Sequence, residues 1–261
     1  MKNIFLCLVI LVFSATGLGD SQKPDYSFDG SISEQVLSNY LSRSIHFCGI
    51  TAGSPEGNSE FFEDDLRVIK KIGAKYLSRA AFAWDVPADD KKHFRTAKKR
   101  AQQIHKIDPE IILEADIFET VYSSQAPEAK DREFSVHGVE EVSVPIFVFK
   151  EFGIEPEQRT FRYEKMVYED GLWRNRWAPG ASVPDLRRIE TKMWFFYRAK
   201  NYIDAGYESL QLGQIQLIAA KDENYEHVED LIDRIRSYAQ KHARRHYVLI
   251  SGHVSLDSPH D

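Results

Sequence analysis

The stretch IILEADIFETV, from Ile111 to Val121, is a short apolar run that carboxyl groups interrupt, and four other runs along the chain repeat its apolar character. The five runs alternate with amphipathic helices, and no helix follows the last run. The other four runs are SIHFCGIT from Ser44, YLSRAAFAWD from Tyr76, ESLQLGQIQLIA from Glu208 and YVLISGHV from Tyr247. Strands that alternate with helices predict a parallel sheet, because the crossover to a parallel neighbour is normally helical.

Polar residues close several of the runs. In parallel α/β folds, ligands bind at the carboxyl ends of the strands, so these ends are where we expect a functional site. The closing residues are Thr51, Asp85, Glu119, Gln216 and His253.

Capping signals delimit the predicted helices. Ser31 and Glu34 form a capping box for a short helix, which we expect to cover the bottom of the sheet. Gly73 is expected to end the first crossover helix, and Pro109 lies where the second must stop. Ser182 is predicted to cap the third crossover helix, because a proline and a carboxylate follow it.

The segment at about 121–182, after the third strand, is too long for a simple crossover, and such connections are usually functional or disordered. Its aromatic content argues against disorder. Glu169, Asp170 and Gly171 are predicted to form a hairpin turn between aromatic-rich arms. We therefore expect an ordered insertion that folds over the strand ends.

The composition indicates one large globular domain. The chain has 261 residues, and 43% of them are hydrophobic, which is enough for a substantial core. A formal net charge of −6 and a sequence pI of about 5.9 disfavour a partner with a phosphate backbone. We therefore expect no nucleic-acid partner.

The N-terminus has the layout of a secretory signal peptide, with Lys2, an apolar stretch from Ile4 to Phe13 and then small residues. This stretch is too short to span a bilayer comfortably, although an uncleaved N-terminal anchor is the alternative. We expect cleavage between Ala15 and Asp20, a secreted or periplasmic product, and no membrane contact afterwards. The predicted divisions are a signal peptide at 1–19, a leader with a short helix at 20–43, and the main domain at 44–261.

Cys48 is the only cysteine expected in the mature chain, because Cys7 lies in the predicted signal peptide. His46 is two residues away on the same strand face and would be the base for a nucleophilic thiol. The alternative, which we favour, is that Cys48 is a small buried hydrophobic residue. His242 and His246 have the spacing of a metal pair, but two arginines lie between them, so we predict no metal site and no cofactor.

Carboxyl groups in the third strand are the strongest catalytic candidates. Asp116 interrupts a strand that should be buried, and Glu119 lies where the strand gives way to a loop. Arg79, on the second strand, is a natural ion-pair partner, so Asp116 is either catalytic or part of a buried structural pair. Glu119 is the preferred acid or base, and Asp116 or Asp85 is a candidate second carboxylate.

Amides and aromatic rings at the other strand ends suggest a hydroxyl-rich ligand. Gln214 and Gln216 are predicted to face the same way, and amides both donate and accept hydrogen bonds. His253 is either a proton relay or a histidine of the core or rim. Trp84 and Trp177 are predicted either to stack on a sugar or only to pack locally.

Several segments of the sequence resemble a group of poorly characterised exported bacterial proteins that is similar to glycoside-hydrolase-type (β/α)8 barrels. The segments are NYLSRSI, DDLRVIKKIGAKYLSRAAFAW, DPEIILEADIFETV, FRYEKMVYEDG, RWAPGASVPDLRRIETKMWFFYRAKNYIDAGYESLQLGQ and HARRHYVLISGHV. The resemblance covers nearly all of the predicted mature chain. It implies a barrel scaffold and a carbohydrate ligand, with Glu119 and the end of the fourth strand at the site.

The chain departs from that group in two ways. The group's members continue past the fifth strand, whereas this sequence ends in SLDSPHD, and they carry a carboxylate near the position of Gln216. A closed barrel needs eight strands, so the predicted fold is α/β and TIM-barrel-like but incomplete, with about five parallel strands and their crossover helices. The predicted function is acid/base hydrolysis of a glycosidic bond by an exported protein of glycoside-hydrolase-like ancestry. The alternative is a non-catalytic glycan-binding or vestigial, truncated barrel module.

Overall fold

The computed structural model of the chain describes residues 23–53, 61–125 and 137–254. The predicted signal peptide and its cleavage site lie outside these residues. Within them, no helix is both long enough and apolar enough to cross a membrane.

All five predicted strand runs form strands of one parallel sheet, so this prediction is confirmed. The first run is split into two short strands, which pair with the same neighbour. A separate pair of two-residue antiparallel strands lies in the insertion. The strands are β1 (Ser44–His46), β2 (Ala52–Gly53), β3 (Tyr76–Phe82), β4 (Ile112–Asp116), β5 (Val121–Tyr122), β6 (Ala181–Ser182), β7 (Ser209–Gln214) and β8 (Leu249–His253).

The order of strands in the main sheet identifies the architecture. The sheet runs β1, β3, β4, β7, β8, with β2 also beside β3, so each strand lies next to its predecessor in the chain. Winding in a single direction is typical of (β/α) barrels, whereas doubly wound sheets reverse direction near the middle. The five strand positions form a curled half-barrel with helices between them, which confirms the predicted fold class.

Seven α-helices connect and cover the strands in the described residues. Their bounds are α1 (Glu34–Leu41), α2 (Phe62–Ile72), α3 (Asp90–Ile107), α4 (Ile146–Glu151), α5 (Ile189–Ala205), α6 (Ile215–Ile218) and α7 (Glu226–His242). As predicted, α2 ends at Gly73, whose φ of 65° is the left-handed conformation that glycine adopts without strain.

Helix α1 lies at the amino ends of the strands, as expected. Tyr40 is fully buried there and packs in one cluster with Tyr76 and Ile112, the first residues of β3 and β4. The predicted capping box is wrong, because Ser33 rather than Ser31 caps the helix by accepting a hydrogen bond from the backbone N–H of Val36. The capping residue must directly precede the first turn, and the helix begins two residues later than the predicted cap required.

The main core lies between the helices and one face of the sheet. Leu77, Leu113 and Leu210 point into it from three neighbouring strands. Helix α5 is buried on several sides. Even its Arg198 is only 5% exposed, and it donates hydrogen bonds to the Asp90 carboxylate of α3 and to the Tyr202 hydroxyl.

The insertion is ordered where it is described, but two predictions within it are wrong. The chain does turn at Glu169 and Asp170, yet the arms do not form a hairpin, because Val167 pairs with Pro184 instead. Ser182 does not open the third crossover helix. It belongs to β6, and α5 begins at Ile189 without a side-chain cap.

Candidate functional site

The face of the sheet turned away from the helices carries polar side chains, and we call it the inner face. Successive residues of a strand point to opposite faces, so Glu114 and Asp116 lie opposite Leu113 and Ala115, which belong to the helix-facing core. The inner face consists of Tyr76, Glu114, Asp116, Ser209, Gln211, Ser251 and His253, which hydrogen bonds partly connect.

Glu114 is the centre of this network. Its carboxylate accepts hydrogen bonds from the Tyr76 hydroxyl at 2.6 Å and from the hydroxyls of Ser209 and Ser251, each at 3.3 Å. The side chain is 6% exposed, and burial together with this carboxylate raises the pKa of Tyr76. Glu114 therefore connects β4 to β3, β7 and β8.

Arg79 reaches the inner face through a bulge. By strict alternation it would share the helix-facing side with Leu77, but the register of β3 against β4 shifts between Leu77 and Ala81. Arg79 has a φ of 55°, and its backbone N–H donates to Glu114 Oε1 at 3.1 Å. Bulges commonly redirect side chains beside functional sites. Here the bulge brings Arg79 Nε within 3.3 Å of Asp116 Oδ2.

Asp116 is a buried carboxyl at the end of the central strand. It is 2% exposed, and burial raises its pKa to about 8, with Glu114 and Glu119 adding to the rise and Arg79 opposing it. A carboxyl with this pKa holds its proton at neutral pH, which is the state required of a general acid. The predicted pairing of Arg79 with a carboxylate of the third strand run, which is β4 in the structure, is thus present.

Glu119 is completely buried and contacts the end of β7. Its Oε2 accepts from the Gln214 backbone N–H at 3.1 Å, and its Oε1 accepts from Gln214 Nε2 at 2.9 Å. Gly213 allows this approach, because a Cβ there would lie 2.2 Å from Glu119 Oε2. Both carboxylate oxygens are therefore engaged with the turn that ends β7.

The remaining predicted polar residues lie around the same strand ends. His253 Nδ1 is 3.3 Å from Gln211 Nε2, and Gln216 Nε2 donates to Gln214 Oε1 at 3.4 Å. Gln216 is not on the strand face predicted for it, because β7 ends at Gln214 and Gln216 lies in α6. The two glutamines are nevertheless neighbours.

Aromatic rings from the insertion and from the segment after β3 meet beside Phe118, which follows β4. The Trp84 ring centroid lies 4.7 Å from that of Phe118 and 5.6 Å from that of Trp177. Trp84 and Trp177 are both half-buried. The two predicted tryptophans are therefore together.

A small cavity lies beside these rings at the ends of β3 and β4. Its volume is about 20 Å³, and it is lined by Trp84, Asp85, Asp116, Thr120, Tyr122 and Arg198 among others. Asp85 is half-buried, and its carboxylate makes no hydrogen bond or ion pair within the described part of the chain. The structure thus brings Asp85 and Asp116 to one cavity.

Cys48 is exposed, so the prediction of a buried hydrophobic residue is wrong. Its sulfur lies 3.0 Å from His46 Nε2, and His46 Nδ1 lies 3.0 Å from the Ser78 hydroxyl. The first strand breaks into β1 and β2 around this residue, which leaves the thiol outside the core. Partial burial raises the pKa of the Cys48 thiol, which disfavours the reactive thiolate.

Sequence reasoning missed Thr120, Gln211 and the connecting role of Glu114. Gln211 could have been predicted, because it is a polar residue within a run already identified as a strand, two residues before Gly213. Thr120 could not, since a single threonine in a loop is ordinary. Among residues 23–53, 61–125 and 137–254, no group of three or more histidine, cysteine, aspartate or glutamate side chains is arranged to hold a metal ion.

Comparisons with known proteins gave likenesses among solved structures only. No family model matches the sequence, and no curated protein matches it. The chain is similar to TtGalA, an α-galactosidase from Thermus thermophilus solved with p-nitrophenyl α-D-galactopyranoside, at 13% identity and a TM-score of 0.41, over 85% of this chain and 42% of that chain. It is also similar to a Bacillus halodurans protein assigned as an α-N-acetylgalactosaminidase, at 10% identity and a TM-score of 0.45, over 88% and 51%. The chain thus spans about half the length of these two proteins.

Proposed function

We propose that this protein acts on carbohydrate, and that Asp116 donates a proton to a glycosidic oxygen at the carboxyl ends of β3, β4, β7 and β8. The observation that carries the proposal is a buried carboxyl beside Arg79 whose pKa is raised to about 8. Hydrolysis of a glycosidic bond requires a carboxylic acid that remains protonated at working pH. Asp116 has that property.

The surroundings of Asp116 support a hydroxyl-rich ligand. Gln214, Gln216 and His253 are partly exposed near the strand ends, and amide and imidazole groups exchange hydrogen bonds with hydroxyls in both directions. Trp84 and Trp177 supply an apolar surface for the face of a sugar ring. The site therefore combines polar and aromatic groups in the manner of a sugar-binding cleft.

A second carboxyl group is needed for ordinary hydrolysis, as a base or a nucleophile on the opposite face of the sugar. We assign this role to Asp85, which is half-buried and has no partner in the described residues. Glu119 is fully buried with both oxygens engaged by Gln214. We therefore assign Glu119 to positioning: it holds the end of β7 rather than contacting substrate.

Non-catalytic glycan binding is the second candidate function. The observation that favours it is the burial of Asp116 and Glu119, of which 2% and 0% are exposed. A sugar could stack on the tryptophans and bind the glutamines without reaching either carboxyl. Binding without turnover would be the expected behaviour in that case.

Hydrolysis of a panel of aryl glycosides and oligosaccharides tests the proposal. Asp116→Asn and Asp85→Asn are expected to lower kcat by about 10²-fold or more, the usual contribution of a positioned proton-transfer group. Asp233→Asn, an exposed carboxylate on α7, is the matched control and should be unchanged. Sugar binding with no turnover on any substrate would favour the second candidate, and full activity of Asp116→Asn would refute the assigned role.

Export by the segment at 1–19 is part of the same proposal, since glycans are common outside the cell. We expect the N-terminus of the mature protein to lie between Ala15 and Asp20, as the small residues there favour cleavage. N-terminal sequencing of the extracytoplasmic fraction checks this. Recovery of the chain with Met1 intact in the cytosol would contradict it.

A further inference from the structure

We propose that the small cavity at the ends of β3 and β4 binds one water molecule held by Thr120, and that this water passes a proton from Asp85 to Asp116. The relay step rests on the proposed function, whereas the water site does not. Neither the water site nor the relay follows from glycosidic hydrolysis alone.

The size of the cavity selects the ligand. A volume of about 20 Å³ exceeds the roughly 10–15 Å³ that a single water requires, and it is far below the roughly 300 Å³ of a small-molecule pocket. A sugar ring therefore does not fit inside it. One water does.

Thr120 supplies the fixed hydrogen-bonding group. The residue is 7% exposed, and its Oγ1 is buried without a hydrogen-bond partner in the described part of the chain. Leaving a buried hydroxyl unpaired is unfavourable, so such groups usually bind ordered water. Because Thr120 lines the cavity, a water there would be its partner.

Other polar groups complete the coordination of the water. Asp85, Asp116 and Arg198 line the same cavity, and buried waters typically make two to four hydrogen bonds. Arg198 already donates to Asp90 and Tyr202, but a guanidinium has five N–H groups. The cavity is thus polar enough to hold a water.

In the proposed catalytic cycle, this water transfers a proton. When Asp85 acts as the base, in an inverting hydrolysis, an attacking water forms the new bond to the anomeric carbon and gives its proton to Asp85, while the glycosidic bond breaks and its oxygen takes the proton of Asp116. After one turnover Asp85 has gained a proton and Asp116 has lost one. The cavity water accepts the proton of Asp85 and donates one of its own to Asp116, which restores both groups with no net change in charge.

The burial of Asp116 favours such a route when no substrate is bound. Only 2% of Asp116 is exposed, so bulk water has little access to its carboxyl, whereas Asp85 is half-buried and contacts solvent. Thr120 is therefore a positioning residue: it holds the water that connects an accessible carboxyl to an inaccessible one.

Two variants separate the hydroxyl from the shape of the side chain. Thr120→Val keeps the size but removes the hydrogen-bonding group, and Thr120→Ser keeps the hydroxyl. In crystals diffracting well enough to show ordered water, we expect a water within hydrogen-bond distance of Oγ in the wild type and in Thr120→Ser, and none in Thr120→Val. Absence of this water from the wild type would overturn the whole inference, and it requires no catalytic activity to observe.

Rapid-mixing kinetics test the relay. Thr120→Val should complete its first turnover at the wild-type rate and then slow. The result is a burst of product, followed by a steady-state rate of at most about one tenth of the wild-type rate. Thr120→Ser should show no burst. Loss of the crystallographic water without a burst would overturn the relay. Absence of hydrolysis in the wild type would refute the proposed function and the relay together, while the crystals still decide the water site.

Discussion

The contact between Gly213 and Glu119 allows a sharp prediction for Gly213→Ala. Gly213 has a φ of 58°, and an alanine in this left-handed conformation costs roughly 1–2 kcal/mol. The new Cβ would also lie 2.2 Å from Glu119 Oε2 and 2.7 Å from the Glu119 backbone nitrogen. Overpacking of this kind costs roughly 1–3 kcal/mol. We therefore expect the free energy of unfolding to fall by about 2–5 kcal/mol.

Gly153→Ala is the matched control, because it separates backbone strain from crowding. Gly153 has a φ of 64°, and a Cβ there would meet no heavy atom within 4 Å. It should lose only the roughly 1–2 kcal/mol of the backbone term. Urea denaturation at one pH measures both variants, with a shift in midpoint and no change in slope. If Gly213→Ala loses no more stability than Gly153→Ala, the close approach of Glu119 to the end of β7 is incorrect.

Three further variants test the electrostatics and the amino-terminal end of the sheet. Folding raises the pKa of Asp116 from 3.8 to about 8. Between these values the folded state holds a proton that the unfolded state releases, so the free energy of unfolding should fall as pH rises, by up to about 1.4 kcal/mol per pH unit. The free energy of unfolding of Asp116→Asn, from denaturation curves measured between about pH 5 and about pH 8, should lack this dependence on pH. The same dependence in the wild type and the variant would contradict the prediction. Glu208 is fully buried against Arg244 and Arg245, so Glu208→Gln should lower the free energy of unfolding by about 3–5 kcal/mol. A loss under about 1 kcal/mol, the value expected for an exposed pair, would contradict this. Tyr40→Phe removes a buried hydroxyl that bonds to Tyr26 and Glu110 carbonyls. We expect the free energy of unfolding, measured by urea denaturation, to fall by about 1–3 kcal/mol. An unchanged urea midpoint would show those bonds to be absent.

Much of the fold could be predicted from the sequence, because the periodicity of apolar residues extends over whole elements. Five strand runs, their parallel arrangement and the helix ending at Gly73 all follow from pattern and chain length. Element boundaries were less accessible. Ser31 and Ser182 each had a suitable side chain for a cap, but tertiary contacts placed Ser182 in β6 and moved the first cap to Ser33.

The candidate site was partly predictable for a different reason. Polar residues that end strands must lie together in a parallel sheet, and Asp116, Glu119 and Gln214 do so. Arg79 reaches Asp116 only through a bulge with positive φ, which alternation cannot foresee. The exposure of Cys48 likewise depends on a break between β1 and β2 that the apolar run SIHFCGIT conceals.

The dependence of kcat/KM on pH, measured for the wild type and for Asp116→Asn on the best glycoside of the panel, tests whether Asp116 is the proton donor. Wild-type activity is expected to fall above about pH 8, where Asp116 loses its proton, and Asp116→Asn is expected to be about 10²-fold less active below that pH, with a difference that narrows above it. A wild-type rate that rises through this range, or an Asp116→Asn variant with undiminished activity, would contradict this role.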